Sequence, residues 1–498
     1  MPVMNEANRK RWTLAAMCFA LFMVMLDNTV VNIALPAIKQ SFGASISGLS
    51  WTVNAYTLIF GVLLVTGGRL GDVFGRKRMF LGGLIVFTLG SIGAGLSGSI
   101  NELVAFRGVQ GAGAAFLMPG TLSILTHTFS GRDLGRALGL WAGISGLALG
   151  MGPVVGGLLV EKAGWEWIFF LNVPVALVAV PLTMWAVRES RDETAIRRVD
   201  VPGILTLSIG LGGLVLGLVQ ANDYGWTSGR IATEFAVGAI SLAAFIVLQL
   251  RGRDPMLNMD FFRSRNFNAG NVVAFLVTFS MFATFFFITL YMQNVEGLSP
   301  LETGVRFLPM TVLIIATAPV AGRLSDKFGS RGLLTLGMTL VATSLLLESR
   351  ITDTSGYLTL LPAFIVGGLG MGMTMSPMTA VVMSSVDRTK AGAASGVLSM
   401  TRMIGGVFGV ASLTAIFEHL AKGRAVAGHP ASDVFIYSLS HSLRYSAAVA
   451  LIGAVVAFAF IRTHSQREAE SPSPVRIWSP RRRDLPDGRR TPRGVPGP

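Results

Sequence analysis

Charge and cysteine are both scarce in this chain. Only 14% of its 498 residues are Asp, Glu, Lys or Arg, and Cys18 is the single cysteine. A water-soluble chain of this size carries nearer ~25% charge, so an ordinary soluble domain is excluded. One cysteine leaves no intrachain disulfide and no cysteine metal cluster. The five histidines form no His-Glu-x-x-His pair, and no Gly-x-x-x-x-Gly-Lys-Ser/Thr phosphate loop is present. A zinc hydrolase and an ATP-driven motor therefore both lack their signatures. No metal and no cofactor are expected, and a membrane-embedded enzyme is the distant alternative only.

What is abundant is apolar sequence. Hydrophobic residues make up 51% of the chain and the mean hydropathy is +0.60. They fall in blocks of about 20 residues, each long enough as a helix to cross ~30 Å of hydrocarbon. Fourteen blocks can be drawn: 12–36, 51–70, 79–98, 102–127, 136–160, 167–187, 201–220, 231–250, 267–292, 303–324, 332–350, 357–385, 392–420 and 440–462. They are apolar all round, with Gly, Ala, Ser and Thr scattered through them, which predicts helices packed on helices in lipid. The fold class expected is an all-α membrane protein. The first block resembles a signal peptide in its Arg9-Lys10-Arg11 start, but it runs past Asp27 to Pro36 without an Ala-x-Ala site and is expected to stay in the mature chain.

Lys and Arg set the orientation. They concentrate at the N-terminus, in every second loop and in the tail, whereas the opposite loops hold only Lys39, Lys162, Arg230, Arg350, Lys422 and Arg424. This bias predicts both termini in the cytoplasm. The net charge of +14 is spread over short loops and the tail, so topology explains it and no nucleic-acid partner is expected. The segment 464–498 is rich in Pro and Arg and reads as a disordered basic cytoplasmic tail, able to touch anionic head groups.

One segment occurs twice. Gly68-Arg69-Leu70-Gly71-Asp72-Val73-Phe74-Gly75 returns as Gly322-Arg323-Leu324-Ser325-Asp326-Lys327-Phe328-Gly329. Each copy lies between two apolar blocks and is followed by basic residues. A duplicated basic hairpin between spans marks two related halves, and a chain of that build is expected to move a solute across a bilayer. Eight blocks separate the copies where six would suffice, so two helices are inserted, 201–220 and 231–250. The expected organisation is an N-terminal six-helix bundle over 1–190, an inserted pair with flanking linkers over 191–265, and a C-terminal six-helix bundle over 266–463.

These residues carry a family resemblance. Gly68 to Arg78 resembles the helix 2–3 loop signature of the major facilitator superfamily, and the copy at Gly322 its counterpart in the second half. Arg107-Gly108-Val109-Gln110-Gly111-Ala112-Gly113 resembles the helix 4 signature, and Gly150-Met151-Gly152-Pro153-Val154-Val155-Gly156-Gly157 the helix 5 antiporter signature. Leu26 to Pro36, Trp51 to Tyr56 and Trp167 to Pro174 narrow the resemblance to the fourteen-helix drug:proton antiporter branch of the EmrB/QacA type. The resemblance spans about residues 10–462. It implies the major facilitator fold and proton-driven efflux of lipophilic or cationic drugs and toxic organic compounds across the cytoplasmic membrane.

Particular residues then take candidate roles. Asp27 lies ~4.5 Å past the midpoint of its block, where an ionised carboxylate must be paired, hydrated or protonated. It is the expected proton carrier, the alternative being a structural acid satisfied by Asn28 or Thr29. The resemblance gives Arg107 a place beside that proton path; the other reading is an Arg snorkelling outward past Glu102. Gly68, Asp72, Gly75, Arg76 and Asp326 form the expected conformational gate, with Asp72 meeting a neighbouring Arg or a helix N-terminus. Ser325 and Ser330 stand where the first copy has Gly71 and Arg76, which weakens the second gate. Gly152, Pro153, Gly156 and Gly157 are the antiporter hinge, where Pro frees a carbonyl and Gly admits a neighbouring helix.

Arg402 has two readings of equal standing, a coupling residue or a structural partner for helix-end carbonyls. Substrate contacts are expected from Asn54, Tyr56, Phe282, Phe286 and Met375, because aromatic and thioether groups suit an adaptable pocket. The partners expected are a small amphipathic substrate, protons and the lipid bilayer, with the monomer as the working unit. Export of an endogenous natural product or a lipid-like metabolite is the alternative function.

Overall fold

A computed structural model describes residues 5–191, 200–252, 255, 257, 259–352, 355–386 and 391–462. Every long apolar block becomes a helix, and no strand occurs among the described residues. In chain order the α-helices are α1 (Glu6–Phe42), α2 (Ile46–Phe74), α3 (Arg76–Gly95), α4 (Ile100–Thr128), α5 (Gly131–Lys162), α6 (Trp167–Phe170), α7 (Asn172–Ala186), α8 (Val201–Tyr224), α9 (Gly229–Arg251), α10 (Arg265–Asn294), α11 (Pro300–Arg306), α12 (Leu308–Phe328), α13 (Ser330–Glu348), α14 (Tyr357–Met383), α15 (Ala391–Val426) and α16 (Ala431–Phe460). Trp167–Ala186 and Pro300–Ser325 each read as one span, and α5 is bent by 41° between Arg136–Ala148 and Gly150–Lys162. Counting the bent pair once gives 14 spans, 13 without it. The tail from residue 463 onward and the linker 192–199 lie outside the described residues.

Local chemistry sets the helix ends. Gly75 and Gly329 close α2 and α12 at φ of +112° and +83°, a region that a side chain disfavours. The duplicated loop keeps glycine at both places. We call this the hairpin side, and the opposite end of the bundle the far side. Several far-side helix starts are capped by serine: Ser45 accepts from Gly48 N, Ser99 from Glu102 N and Ser228 from Ile231 N. Ser299 and Glu302 form a reciprocal capping box at α11, which satisfies two orphan backbone donors at once.

Glycine also sets how closely helices approach. A Cβ on Gly111 would meet the Tyr56 carbonyl, and one on Gly113 would meet the Phe87 backbone, so α4 seats directly on α2 and α3. In the second half Gly368 and Gly372 hold α14 against α12, and Gly370 against α13. The repeat is thus three-dimensional as well as textual. Small residues do this work because lipid offers no hydrophobic drive between helices.

The inserted pair packs to one side. α8 contacts α2, α15 and α9, while only 17% of the apolar window of α9 is buried, leaving Ile240 and Leu250 facing outward. Asn222, inside the last turn of α8, donates from Nδ2 to the Ala415 carbonyl and accepts from Lys422 Nζ through its own carbonyl. The turn into α9 begins at Gly225, where φ is +88°.

Candidate functional site

Asp27 projects into the first half of the bundle, where α1 meets α4 and α7. Its carboxylate is fully enclosed and accepts from Arg107 Nη1 at 2.6 Å, Gln110 Nε2 at 3.1 Å and Asn172 Nδ2 at 3.2 Å. Ser91 on α3 accepts from both amides, at 2.7 and 3.1 Å. Arg107 is completed by the Thr52 carbonyl at 3.1 Å, Gln110 Oε1 at 2.9 Å and the face of Tyr56, 4.2 Å from its guanidinium carbon. Five helices thus hold one buried ion pair, with the amide and hydroxyl groups its burial requires.

This geometry replaces two of the expected alternatives. Asn28 and Thr29 do not satisfy Asp27; the Thr29 hydroxyl donates to the Leu26 carbonyl on its own helix at 3.1 Å. Arg107 does not snorkel outward: its side chain is 1% exposed. Gln110 and Asn172 were present in the Arg107–Gly113 and Trp167–Pro174 motifs but carried no separate signal. The one available pointer was the three-residue step from Arg107 to Gln110, which puts both on one helix face.

The opposite face of α1 looks into a cavity of about 620 Å³ between the halves. Asn28, Thr29 and Asn32 line it from α1, Trp141 and Pro153 from α5, and Phe282 and Phe285 from α10. Phe307, Thr311, Met371, Met375, Thr379 and Arg402 complete the second-half wall. Of the expected substrate contacts, Phe282 and Met375 are on this wall. Asn54 is buried and donates to Ser50 at 3.0 Å, Tyr56 stacks on Arg107, and Phe286 is enclosed against Phe287. These three are displaced from the cavity because they sit on helix faces turned into the bundle. Arg402 reaches the wall from α15 and donates from Nη2 to the Thr379 hydroxyl at 2.9 Å, not to helix-end carbonyls.

The glycines of the expected hinge pack tightly against neighbouring helices. A Cβ on Gly152 would meet Thr29, and one on Gly156 would meet Val30, both on α1. Gly157 has the Pro300 carbonyl 2.5 Å from where its Cβ would be, and Gly304 of α11 lies against the Pro153 carbonyl. The bent helix is therefore wedged between α1 and α11, bridging the two halves. Two further bonds join them on the far side: Gln293 Nε2 donates to the Ile33 carbonyl at 3.0 Å, and Ser47 N, in the first turn of α2, donates to Glu418 Oε1 at 3.1 Å.

At the hairpin side Asp72 Oδ1 accepts from Arg76 Nε and Nη2, both at 2.9 Å. Asp72 thus takes the first of its two expected partners, a neighbouring Arg, while the N-terminus of α3 is occupied by Glu189. Its carboxylate accepts from the Lys77 and Arg78 backbone amides at 3.0 and 3.2 Å, completing the start of α3. Gly75 is pinned beneath it, since a Cβ there would lie 2.7 Å from the Glu189 carboxyl. Gly68 backs onto Pro119. In the second copy Ser325 and Ser330 hydroxyls bond each other at 2.6 Å, a neutral contact beside the position of the Asp72–Arg76 pair. Asp326 is in the last turn of α12, and its side chain lies outside the described residues.

One acid at a span edge is buried and another half-buried, although neither stood out in sequence. Glu348 ends α13, wholly enclosed with Ser344 donating at 3.2 Å, and Glu418 is the far-side contact just described. A carboxylate at the rim of an apolar block gives no sign of which way the helix turns it.

Comparisons with known proteins agree with this architecture. The profile of the Major Facilitator Superfamily matches residues 17–410. The chain is 39% identical over 401 residues to the tetracenomycin C resistance and export protein of Streptomyces glaucescens, covering 80% of this chain and 74% of that one. It is 34% identical to the methylenomycin A resistance protein of Streptomyces coelicolor, over 81% of this chain and 85% of the relative. A bacterial homologue of the human lysosomal transporter Spinster superposes with a TM-score of 0.64 over 93% of this chain and 99% of its own, at 17% identity, a likeness of fold. Two six-helix halves with an inserted pair, a duplicated hairpin loop and resistance and export proteins as relatives lead to one assignment: the chain is a multi-pass membrane transporter of the Major Facilitator Superfamily.

Proposed function

We propose that this transporter exports lipophilic organic compounds across the cytoplasmic membrane in exchange for inward-moving protons. The observation that carries the proposal is α1 itself, which presents Asp27 to a sealed ion pair on one face and Asn28, Thr29 and Asn32 to the cavity on the other. Protonation of Asp27 weakens its hold on Arg107, and a helix so loosened shifts the wall against which substrate binds. Proton and substrate then couple through the position of one helix without sharing a site.

The hairpin side is the cytoplasmic side in this reading, because the loops there carry most of the Lys and Arg. In this reading the cavity opens to that side, and the Gly157–Pro300 and Gly304–Pro153 contacts close the far side. Breaking those contacts while Asp72, Arg76 and Glu189 rearrange exchanges one access for the other. The Asp72–Arg76 pair and the substrate-facing Phe282 and Met375 belong to this proposal.

Purified protein in proteoliposomes with an imposed pH gradient tests it. Uphill movement of organic compounds that collapses with the gradient is the expected result; transport indifferent to the gradient would overturn proton coupling. Export of an endogenous natural product is the second reading, favoured by the naming of one relative for resistance to and export of tetracenomycin C. Biosynthetic genes beside this one would support it.

A further inference from the structure

The charge on the cavity wall indicates what the cavity accepts. Among the described lining residues Arg402 alone is ionised, and no Asp or Glu is present. The one buried acid near mid-span, Asp27, faces away and is already neutralised by Arg107. Cationic substrates therefore find no counter-charge in the cavity and meet a like charge instead.

Arg402 is also underused. Its Nη2 donates to Thr379, but its buried Nε has no partner. A guanidinium offers five N–H donors in a planar fork that matches carboxylates, sulfonates and phenolates. The rest of the wall is aromatic and thioether surface from Trp141, Phe282, Phe285, Phe307 and Met375, and about 620 Å³ is the volume of a drug-sized ligand site. Apolar walls around one unpaired cation complement an aromatic body bearing one acidic group.

We propose that Arg402 is the substrate counter-charge and that the cavity selects amphipathic aromatic acids over organic cations. This rests on the exporter reading above and revises the sequence-based expectation of cationic drugs. It also accounts for the cost of an arginine at this depth, since intramembrane charges are retained where a partner or pathway uses them. A bound acid supplies the missing partner for Nε.

The test uses the full chain in proteoliposomes with an acidic lumen, where export appears as uptake. Three probes are compared: 8-anilinonaphthalene-1-sulfonate, its neutral counterpart N-phenyl-1-naphthylamine, and the permanent cation tetraphenylphosphonium. The wild type is expected to transport the sulfonate best and the cation worst. Arg402→Gln should lower the ratio of sulfonate to neutral-probe transport on the order of tenfold or more, the worth of a charge-assisted hydrogen bond. Arg402→Lys, which keeps the charge but loses the fork, should recover part of the ratio.

Cation transport equal to or above that of the sulfonate in the wild type overturns the proposal, as does an unchanged ratio in Arg402→Gln. The wild-type ranking decides the matter even if the variants fail to fold. Gradient-driven transport of the neutral probe or the cation without the sulfonate removes the charge assignment and leaves the exporter reading standing. No gradient-driven transport of any probe by folded protein removes both.

Discussion

Arg107 places Nη1 2.6 Å from Asp27 Oδ2 although eighty residues separate them, and neither side chain is more than 1% exposed. Removing one partner of such a pair strands the other charge, at a cost of about 3–5 kcal/mol. We predict that Asp27→Asn lowers thermal stability in detergent by about that amount and abolishes uphill efflux. The double variant Asp27→Asn with Arg107→Gln should regain much of the stability and none of the efflux. Because Asp27 is off the cavity wall, some substrate binding should survive in Asp27→Asn. Gradient-driven efflux surviving in Asp27→Asn would remove its role as proton carrier.

In the proposed cycle the hairpin loop separates gating from folding. Asp72 and Arg76 are a partly exposed i,i+4 pair, worth about 0.3–0.5 kcal/mol, so Asp72→Asn should leave abundance near normal while slowing transport severalfold. Gly75→Ala is different: φ of +112° and the Glu189 carboxyl both oppose a side chain. It should reduce expression sharply, and Glu189→Gln should cost about 1 kcal/mol as a weakened helix cap. Wild-type transport rates in Asp72→Asn would reduce the loop to a topology signal.

Far-side closure depends on backbone contact. Gly157→Val inserts atoms where the Pro300 carbonyl lies 2.5 Å from the Cβ position, and Glu418→Ala removes the acceptor for Ser47 N. Both changes should bias the protein towards an open far side. A cysteine introduced at Asn32 in a Cys18→Ser background reports this: labelling by an impermeant maleimide from outside should rise severalfold in either variant. Unchanged labelling in both would show that closure rests on other contacts.

Topology follows from the eight-block spacing of the repeat. Reporters fused after Gly75 and Ser190 should read cytoplasm, and those after Ser47, Gly225 and Gly428 should read outside. A cytoplasmic signal at Gly225 would contradict the membrane insertion of α8 and α9.

The fold was legible in the sequence because in lipid the backbone must satisfy its own hydrogen bonds, so a long apolar run has little choice but helix. The repeat and its glycines then fixed which helices correspond and where turns fall: Gly75 and Gly329 terminate helices just where the two copies align. The candidate site was legible by residue type and partly by place. Asp27 and Arg107 stood out because charge in an apolar block is costly, whereas Gln110, Asn172 and Glu189 are ordinary letters until their neighbours are known.

Sequence alone determined that this chain is helical, membrane-spanning, duplicated with an inserted pair, and furnished with one mid-span acid, since each property follows from local composition and spacing. Tertiary structure decided that Asp27 faces Arg107 and not the cavity, that Tyr56 and Phe286 serve packing while Phe282 and Met375 face the cavity, and that Arg402 stands on the cavity wall without an acid. The physical reason is rotational. A helix that is apolar on every side carries no moment to say which residue turns inward, and only contact with its neighbours fixes that angle.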